Sequence, residues 1–169
     1  MDMRGTRASP SVLDINTNAT MICTGWGITI SRNAGGLGIL NINGGTLAFS
    51  NGSFTVASSG VSTSVTTGLV NLVDGIVYAR DIKLGVTTNA VGILRQTGGQ
   101  LQALNESFLG RDVGTASGIL FVEGGSALFN SKLDIGYVAN GKGEVNLTGG
   151  TLTVASDIVM GLLAEALAG

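Results

Sequence analysis

Four charged side chains recur at one position of the sequence, four residues before a glycine: Asp81, Glu106, Lys132 and Asp157. Paired carboxylates on one face of a protein carry out general acid–base chemistry on glycosidic bonds, and their separation decides the reaction. A polysaccharide lyase or hydrolase would use this file, but a lysine interrupts it, and the sequence indicates no arginine, histidine or tyrosine cluster around it. We therefore interpret the file as a solvated loop edge and predict that the protein is not an enzyme.

The composition lacks the usual bases and ligands of a catalytic or metal site. The chain has no histidine, a single cysteine, 12% charged residues and a net charge of −2. Histidine is the commonest general base and metal ligand, and Cys23 alone permits no intrachain disulfide. We predict no catalytic residue, no cofactor and no metal. Because no basic patch is present, we also expect no nucleic-acid partner.

A second file contains the residue that follows the first buried position of each repeat: Asn16, Asn41, Asn71, Arg95, Phe121 and Asn146. Asparagines on neighbouring layers of a β-structure share amide hydrogen bonds, and we expect this to be their main role. Amides also recognise the hydroxyls of a carbohydrate, and aromatic side chains extend such a surface. The candidate lateral binding residues are therefore Asn41, Asn71, Phe121 and Tyr78.

Glycines position these files, because they recur in three parallel series about every 25 residues, with 28 glycines among 169 residues. A glycine pair, or Asp74-Gly75, marks the middle of each unit, a single glycine lies six residues before it, and another ends most units. Such a period indicates one structural unit repeated as a solenoid. The predicted structural turn glycines are Gly38, Gly44, Gly45, Gly68, Gly75, Gly92, Gly98, Gly99, Gly118, Gly124, Gly125, Gly143, Gly149 and Gly150.

Each unit contains three short strands according to its hydrophobic pattern. Apolar residues alternate on both sides of the glycines, which is the period of a strand with one buried face. In the last unit the buried set is Val145, Leu147, Leu152, Val154, Ile158 and Met160. Because such strands cannot bury their faces alone, we predict an all-β parallel β-helix of about six coils with three sheets, right-handed by the usual crossover preference.

Two units depart from the consensus. The unit beginning at Gly92 places Gln96 and Ser107 in buried slots. Either these side chains hydrogen-bond inside the coil, or a bulge turns Phe108 inward instead. The first unit has no glycine pair and is a degenerate coil, as terminal repeats often are. Its register is set by Ile15, Ile22, Ile28 and Ile30.

These patterns divide the chain into a polar segment at 1–12, a solenoid at 13–161 and a short apolar segment at 162–169, with coils that begin near 13, 38, 68, 92, 118 and 143. The first segment lacks the apolar region of a secretory signal, and no apolar stretch is long enough for membrane insertion. Residues 58–67, rich in serine and threonine, lengthen the second coil and form either a functional loop or a tolerated insertion, with a bland loop as the default.

The C-terminal segment is a candidate assembly segment through Leu162, Leu163, Ala166 and Leu167. It contains strong helix formers and a single charge. Three roles are open to it: a cap over the last coil, a contact with a neighbouring molecule, or the beginning of a further coil in a longer protein. An uncapped solenoid end exposes unpaired backbone groups that invite pairing with another chain.

Residues 143–154, Gly-Glu-Val-Asn-Leu-Thr-Gly-Gly-Thr-Leu-Thr-Val, resemble the β-strand repeats of autotransporter passenger domains and of PEP-CTERM-type bacterial surface proteins. Residues 92–110 and 118–136 share this outline, and the resemblance covers 38–161. It implies an extracellular or cell-surface location and a non-catalytic role as a stalk, adhesin or scaffold. The membrane barrel, sorting tail and signal of those families are not found in this sequence.

The sequence therefore leads to one hypothesis and one alternative. The hypothesis is an extracellular solenoid subunit that stacks head to tail with further copies into a fibre, or continues into the rest of a longer chain as a stalk. The alternative is an adhesive or carbohydrate-binding module, such as a cell-surface adhesin or a virion fibre segment. The charge-poor surface and the weak caps favour the hypothesis, and the asparagine file with its aromatic neighbours favours the alternative.

Overall fold

The computed structural model describes residues 1–2, 5, 9–49, 51–58, 64–111, 115–138 and 140–161. Regular structure in this part of the chain is entirely β. The described residues contain no helix that is long and apolar enough to cross a membrane. The strands are β1 (Ser11–Asn16), β2 (Thr20–Cys23), β3 (Gly27–Thr29), β4 (Leu37–Phe49), β5 (Ser53–Val56), β6 (Thr66–Ala79), β7 (Asp81–Leu84), β8 (Ala90–Gln96), β9 (Gln100–Ala103), β10 (Ser107–Leu109), β11 (Ser117–Val122), β12 (Ser126–Phe129), β13 (Leu133–Ile135), β14 (Lys142–Leu147), β15 (Thr151–Val154) and β16 (Ile158–Met160).

Each strand pairs in parallel with the strand at the same position of the next unit. Gly38 pairs with Gly68, Gly68 with Gly92, and the series continues through Gly118 to Gly143. The prediction of an all-β parallel solenoid is confirmed. The strands of one repeat unit form one layer of the solenoid. The stacked layers make about five turns, slightly fewer than the six coils predicted. The right-handed winding stays a prediction.

The strands form two sheets rather than the predicted three. The first and second strands of every unit belong to one ten-stranded sheet, and the third strands form a six-stranded sheet. The reason lies at the glycine pair, because β4 and β6 continue through Gly44 and Gly75 as single strands with a shift of register. A φ of 97° at both glycines bends the strand as a bulge does, without starting a new sheet. The second and third layers therefore contain two strands each, not three.

The glycine six residues before each pair lies in a strand, not in a turn. At Gly92 an added Cβ would meet the carbonyl oxygen of Val56 and the amide nitrogen of Gly85. The same close approach to the backbone at the end of a third strand is found at Gly38, Gly68, Gly118 and Gly143. Glycine is required at this position because two backbones nearly touch, and the backbone angle itself is that of an ordinary strand.

The pairs combine two requirements. Gly44, Gly75, Gly99, Gly125 and Gly150 have positive φ. The other members, Gly45, Gly98, Gly124 and Gly149, pack against a carbonyl oxygen of the preceding layer, where an added Cβ would collide. The pair therefore marks a corner at which the layers stack most tightly.

The inward side chains of both sheets form one continuous core, in which Phe49 and Phe54 stack with ring centroids 5.6 Å apart. The polar residues of the fourth layer form hydrogen bonds inside it. Gln96 Nε2 donates to the carbonyls of Gly99 at 3.2 Å and Ser126 at 3.0 Å. Ser107 Oγ accepts from the Ile82 amide at 3.0 Å and donates to the Asn105 carbonyl at 3.3 Å.

Of the two interpretations of this unit, hydrogen bonding inside the coil is therefore the correct one. Phe108 does not replace Ser107 in the core. Its ring lies on the outer side of the six-stranded sheet, edge-on to Tyr137 at 6.1 Å between centroids.

Candidate functional site

The asparagine file lies on the outer face of the ten-stranded sheet. Strand register places its members on successive layers in the order Asp14, Asn41, Asn71, Arg95, Phe121 and Asn146. Asp14 is the first member, and the assignment of Asn16 was wrong. Asn16 pairs with Asn43 and Gly44 instead. The first unit has no glycine pair, so its register could not be fixed from the spacing.

Hydrogen bonds between layers run along the first part of this file. Asn41 Nδ2 donates to Asp14 Oδ1 at 2.7 Å, and Asn71 Nδ2 donates to Asn41 Oδ1 at 2.8 Å. Next to them, Arg95 Nε donates at 2.8 Å to Glu123 Oε2 of the adjacent layer. Three members of the file therefore bond to one another, as expected of a ladder that stabilises the stack, whereas Arg95 and Asn146 bond to glutamates outside it.

The candidate lateral residues do not converge on one pocket. Asn41 and Asn71 line a shallow groove of ≈ 230 Å³, whereas Phe121 lines a separate one of ≈ 250 Å³ beside Arg95. Tyr78 belongs to the second half of β6, where it pairs with Ala48 and Gln102, and it lines neither groove.

Three members of the file of charged residues, Asp81, Glu106 and Lys132, belong to two ion-pair clusters on the outer face of the six-stranded sheet. Asp157, the fourth member, is exposed on the last layer and belongs to neither cluster. The first surrounds Asp81, whose carboxylate contacts Arg80 Nε at 2.9 Å and Lys83 Nζ at 3.3 Å. Burial alone would raise the pKa of Asp81, but hydrogen bonds from Ser53 and Arg80 and the charge of Lys83 outweigh burial and lower it. This carboxylate therefore stays ionised.

The second cluster joins Glu106, Lys132 and Asp134. Lys132 Nζ lies 2.5 Å from Glu106 Oε1 and 3.1 Å from Asp134 Oδ2. Asp134 is completely buried, and burial raises its pKa, while the hydrogen bond from Lys132 lowers the pKa of Glu106. Sequence reasoning missed Asp134 because it occupies the outward slot between two buried residues of β13, where a solvated side chain is the norm.

Aromatic and basic side chains cover this second cluster. The Arg111 guanidinium lies 3.9 Å from the ring centroid of Phe108, and Lys132 Nζ lies 5.4 Å from that of Tyr137. The expectation that no arginine or tyrosine approaches the charged file is therefore wrong. Arg111 and Tyr137 follow the glycines that end their units, so the loops between coils carry them onto the sheet.

Both clusters pair each acid with a base, which is the arrangement of a structural ion-pair network. Among the residues that the structure describes, no group of three or more histidine, cysteine, aspartate or glutamate side chains is placed to hold a metal ion.

The last layer is open at its outer edge. Strands β14, β15 and β16 end the two sheets. Leu147, Ile158 and Met160 are 53%, 53% and 73% exposed. The residues that precede them in register, Val122, Leu133 and Ile135, are no more than 7% exposed. The core of the described solenoid is therefore uncovered at this end.

The first layer is covered in part. The Thr29 amide donates to the Met1 carbonyl at 2.9 Å, and Asp2 forms a parallel bridge with Thr29 and an ion pair with Arg32 at 3.2 Å. These contacts occupy the edge of β3. Leu13 on β1 is only half-buried. The described N-terminal residues therefore cover the edge of β3 and leave Leu13 of β1 partly exposed.

Some predicted residues lie outside the described part of the chain. These are the candidate assembly residues Leu162, Leu163, Ala166 and Leu167, and residues 59–63 of the predicted insertion. The comparison of the chain with protein-family models, curated proteins and solved structures gave no match.

Proposed function

We propose that this protein is a non-catalytic structural element of the cell surface, whose solenoid continues end to end into a second copy. The observation that carries this proposal is the last layer, which no residue in the described part of the chain covers. Met160 there is 73% exposed, in a position that is buried throughout the inner layers. Apolar core residues at the edge of an unpaired parallel sheet favour the addition of further strands. The added strands would come from the first layer of the next molecule.

The register of the two end layers supports this contact. We continue the strand pairing from the last layer of one molecule into the first layer of the next. Leu147 then lies next to Ile15 of the neighbour, and Val145 next to Leu13, so that apolar inward positions coincide. On the outer face the same pairing places Asn146 beside Asp14. An asparagine beside Asp14 is the pair that Asn41 already makes inside the molecule.

The second strands also match, because β15 would bring Leu152 over Met21 and Val154 over Cys23. All four side chains are partly buried and pack against the core of their own molecule. The third strands differ, since Met1 and Asp2 occupy the edge of β3 where β16 would pair. The ten-stranded sheet therefore provides the first contact, and the six-stranded sheet joins once residues 1–2 are displaced.

The charge-poor composition is compatible with such stacking, because few side chains at the ends repel a neighbour. The resemblance of the repeats to those of bacterial surface proteins supports an extracellular stalk or fibre. The same two edges would serve the same purpose in a longer chain, where the preceding and following coils would cover them.

Sedimentation velocity over a series of protein concentrations tests the proposal. The wild-type chain is expected to form larger oligomers as the protein concentration rises. Met160→Lys is expected to suppress these oligomers by placing a charge at the open end. Val73→Lys is the matched control, because Val73 is 51% exposed on the side of the solenoid. A single monomeric species at every concentration, or equal loss of association in both variants, would contradict end-to-end stacking.

A further inference from the structure

Trp26, the only tryptophan of the chain, is 94% exposed. The other large hydrophobic residues exposed in the described part of the chain reach 73% at most. Tryptophan is among the most buried residues on average, because it has the largest apolar surface to remove from water. Trp26 lies in the turn between β2 and β3, and it makes no contribution to the core. Its exposure makes it available to contact a ligand, and the residues around it decide whether they form a site.

Backbone contacts hold the turn that carries this side chain in place. The Trp26 carbonyl accepts a hydrogen bond from the Ser53 amide at 3.0 Å. An added Cβ on Gly52 would collide with the backbone of Trp26 and Gly27, so the two turns are in direct contact. On the other side of Trp26, Gly25 faces open space. The indole is thus displayed from a tightly packed turn, with its approach left free.

Trp26 borders an open groove of ≈ 400 Å³ that it shares with Thr24, Gly25, Asn51 and Arg80. This volume lies in the range of about 300–1,000 Å³ that is usual for ligand sites. The groove combines one aromatic face with a hydroxyl, an amide and a guanidinium. Hydrogen-bonding groups beside an exposed indole match a sugar ring, which has an apolar face and a rim of hydroxyls.

The one charged side chain that lines this groove already has partners. Arg80 donates through Nε to Asp81 at 2.9 Å and through Nη2 to Ser53 at 3.3 Å. The guanidinium is therefore held in position, and the other residues that line the groove are uncharged, which favours a neutral ligand over an anion. A nucleic acid is disfavoured for the same reason and by the net charge of −2.

The turns that line the groove are stacked along the solenoid. Backbone hydrogen bonds from Arg80 to Gly52 and from Asn105 to Arg80 stack the same turn on successive layers, so that Asn51, Arg80 and Asn105 follow Trp26 along one edge. Layers lie about 4.8 Å apart, which is close to the length of one pyranose unit. Successive sugars of an extended chain would thus meet successive layers.

We propose that this edge is a binding site for a neutral polysaccharide, with one pyranose ring stacked on Trp26 and the next sugars hydrogen-bonded by Asn51 and Arg80. The site is separate from the lateral surface of Asn41, Asn71, Phe121 and Tyr78. The site uses none of the strand edges that stacking would pair, but Trp26 belongs to the first layer, where it also borders Met1 and Asp2. The sugar titration is therefore made at a protein concentration at which the chain is monomeric, so that binding and assembly are tested separately.

Trp26 fluorescence reports on this site alone, because the chain has no other tryptophan. The purified protein is titrated with cellohexaose, chitohexaose and, as an acidic probe, hexagalacturonate. We expect a saturable blue shift with cellohexaose or chitohexaose as the indole leaves water, and no comparable response to hexagalacturonate. Calorimetry is then used for variants: Trp26→Ala weakens binding by about tenfold or more, as truncation of an aromatic anchor does.

Two controls complete the experiment. Phe121→Ala alters the lateral surface and leaves the affinity unchanged, and Asn51→Ala reduces it without changing the thermal unfolding temperature. The proposal is overturned by the absence of a response to both neutral hexasaccharides, by preferential binding of the acidic one, or by unchanged affinity in Trp26→Ala. A blue shift that follows protein concentration without any sugar also overturns it, because a second copy then covers Trp26.

Discussion

Asn41 and Asp14 lie on adjacent layers of the solenoid, and the Asn41 amide donates a 2.7 Å hydrogen bond to the Asp14 carboxylate. Asn146, on the last layer, occupies the same column of the outer face. Its amide now donates to Glu144 within the same strand, at 2.7 Å. The first and last layers therefore carry complementary partners for the bond that already joins layers inside the molecule.

The glycine that ends each unit is expected to be essential for stability. Gly85 has a φ of 62°, and an added Cβ would meet the backbone of Ser117. Gly85→Ala should lower the free energy of unfolding by more than about 2 kcal/mol, because left-handed backbone costs a side chain about 1–2 kcal/mol before any collision is counted. Urea denaturation measures this loss.

Ala57 provides the natural control, because it occupies the equivalent position of the second layer with a φ of 65°. Ala57→Gly removes the same strain and should change the free energy of unfolding by less than about 1 kcal/mol, or increase it. Equal effects of the two substitutions, or a harmless Gly85→Ala, would show that the backbone at this corner is not constrained as described.

The buried amide of Gln96 offers a second test of the core. Gln96→Ala leaves a cavity and removes the donor to the Ser126 carbonyl, so we expect a loss of about 2 kcal/mol or more in the free energy of unfolding. Gln96→Leu fills the space as Leu72 does one layer earlier, and also removes the unpaired Oε1 atom. Its cost should be clearly smaller. Thermal or urea unfolding that ranks the two variants in the opposite order would exclude this explanation.

The pH dependence of stability should identify Asp134. Burial raises the pKa of Asp134 in the folded protein. The contribution of this group to stability is therefore fully present below its pKa in the unfolded chain, near 3.8, and is lost as pH rises through its pKa in the folded protein. Asp134→Asn cannot ionise, so its free energy of unfolding should improve relative to the wild type between about pH 3 and pH 7. A relative stability that does not change with pH, or that falls, would contradict the raised pKa.

Glu106 should show the opposite trend, because the hydrogen bond from Lys132 lowers its pKa in the folded protein. The contribution of Glu106 to stability is present above its pKa in the unfolded chain, near 4.5, and is lost as pH falls through its pKa in the folded protein. The deficit of Glu106→Gln relative to the wild type should therefore shrink on acidification. Urea unfolding of both variants over the same pH series separates the two carboxylates.

The N-terminal residues should act against assembly. Met1 and Asp2 pair with the edge of β3, at the place where β16 of a neighbour would pair. A variant that lacks residues 1–8 should associate at lower protein concentration than the full chain, because nothing has to be displaced first. Light scattering over a dilution series measures the shift. Weaker association of the shortened chain would mean that residues 1–2 take part in the contact.

The repeat predicted the fold well because glycine spacing and alternate apolar residues are constraints that every layer must obey. The number of sheets was not predictable, since it depends on whether the chain passes Gly44 and Gly75 as a bulge or as a turn. Where the glycine pair is missing, the register was lost, and Asn16 was taken for Asp14.

The candidate sites were harder to predict than the fold for a physical reason. The repeat describes inward positions, whereas Asp134 and Trp26 are outward residues whose burial depends on neighbouring loops and turns. Asp134 contacts Lys132, which in turn lies near the ring of the loop residue Tyr137, whereas Trp26 is covered by nothing that the structure describes. A single sequence contains no periodic signal that distinguishes these two cases.

Disulfide cross-linking tests end-to-end stacking most directly. Asp14→Cys and Asn146→Cys are introduced together with Cys23→Ala, so that the two ends of each molecule carry one thiol apiece. Neighbouring parallel strands are about 4.8 Å apart, within the range of about 4.4–6.8 Å between Cα atoms that a disulfide spans. The control replaces Asn146→Cys by Tyr78→Cys, which lies on an inner layer. Stacking predicts a ladder of covalent oligomers on a non-reducing gel for the first pair and monomers for the control, whereas monomers for both would contradict it.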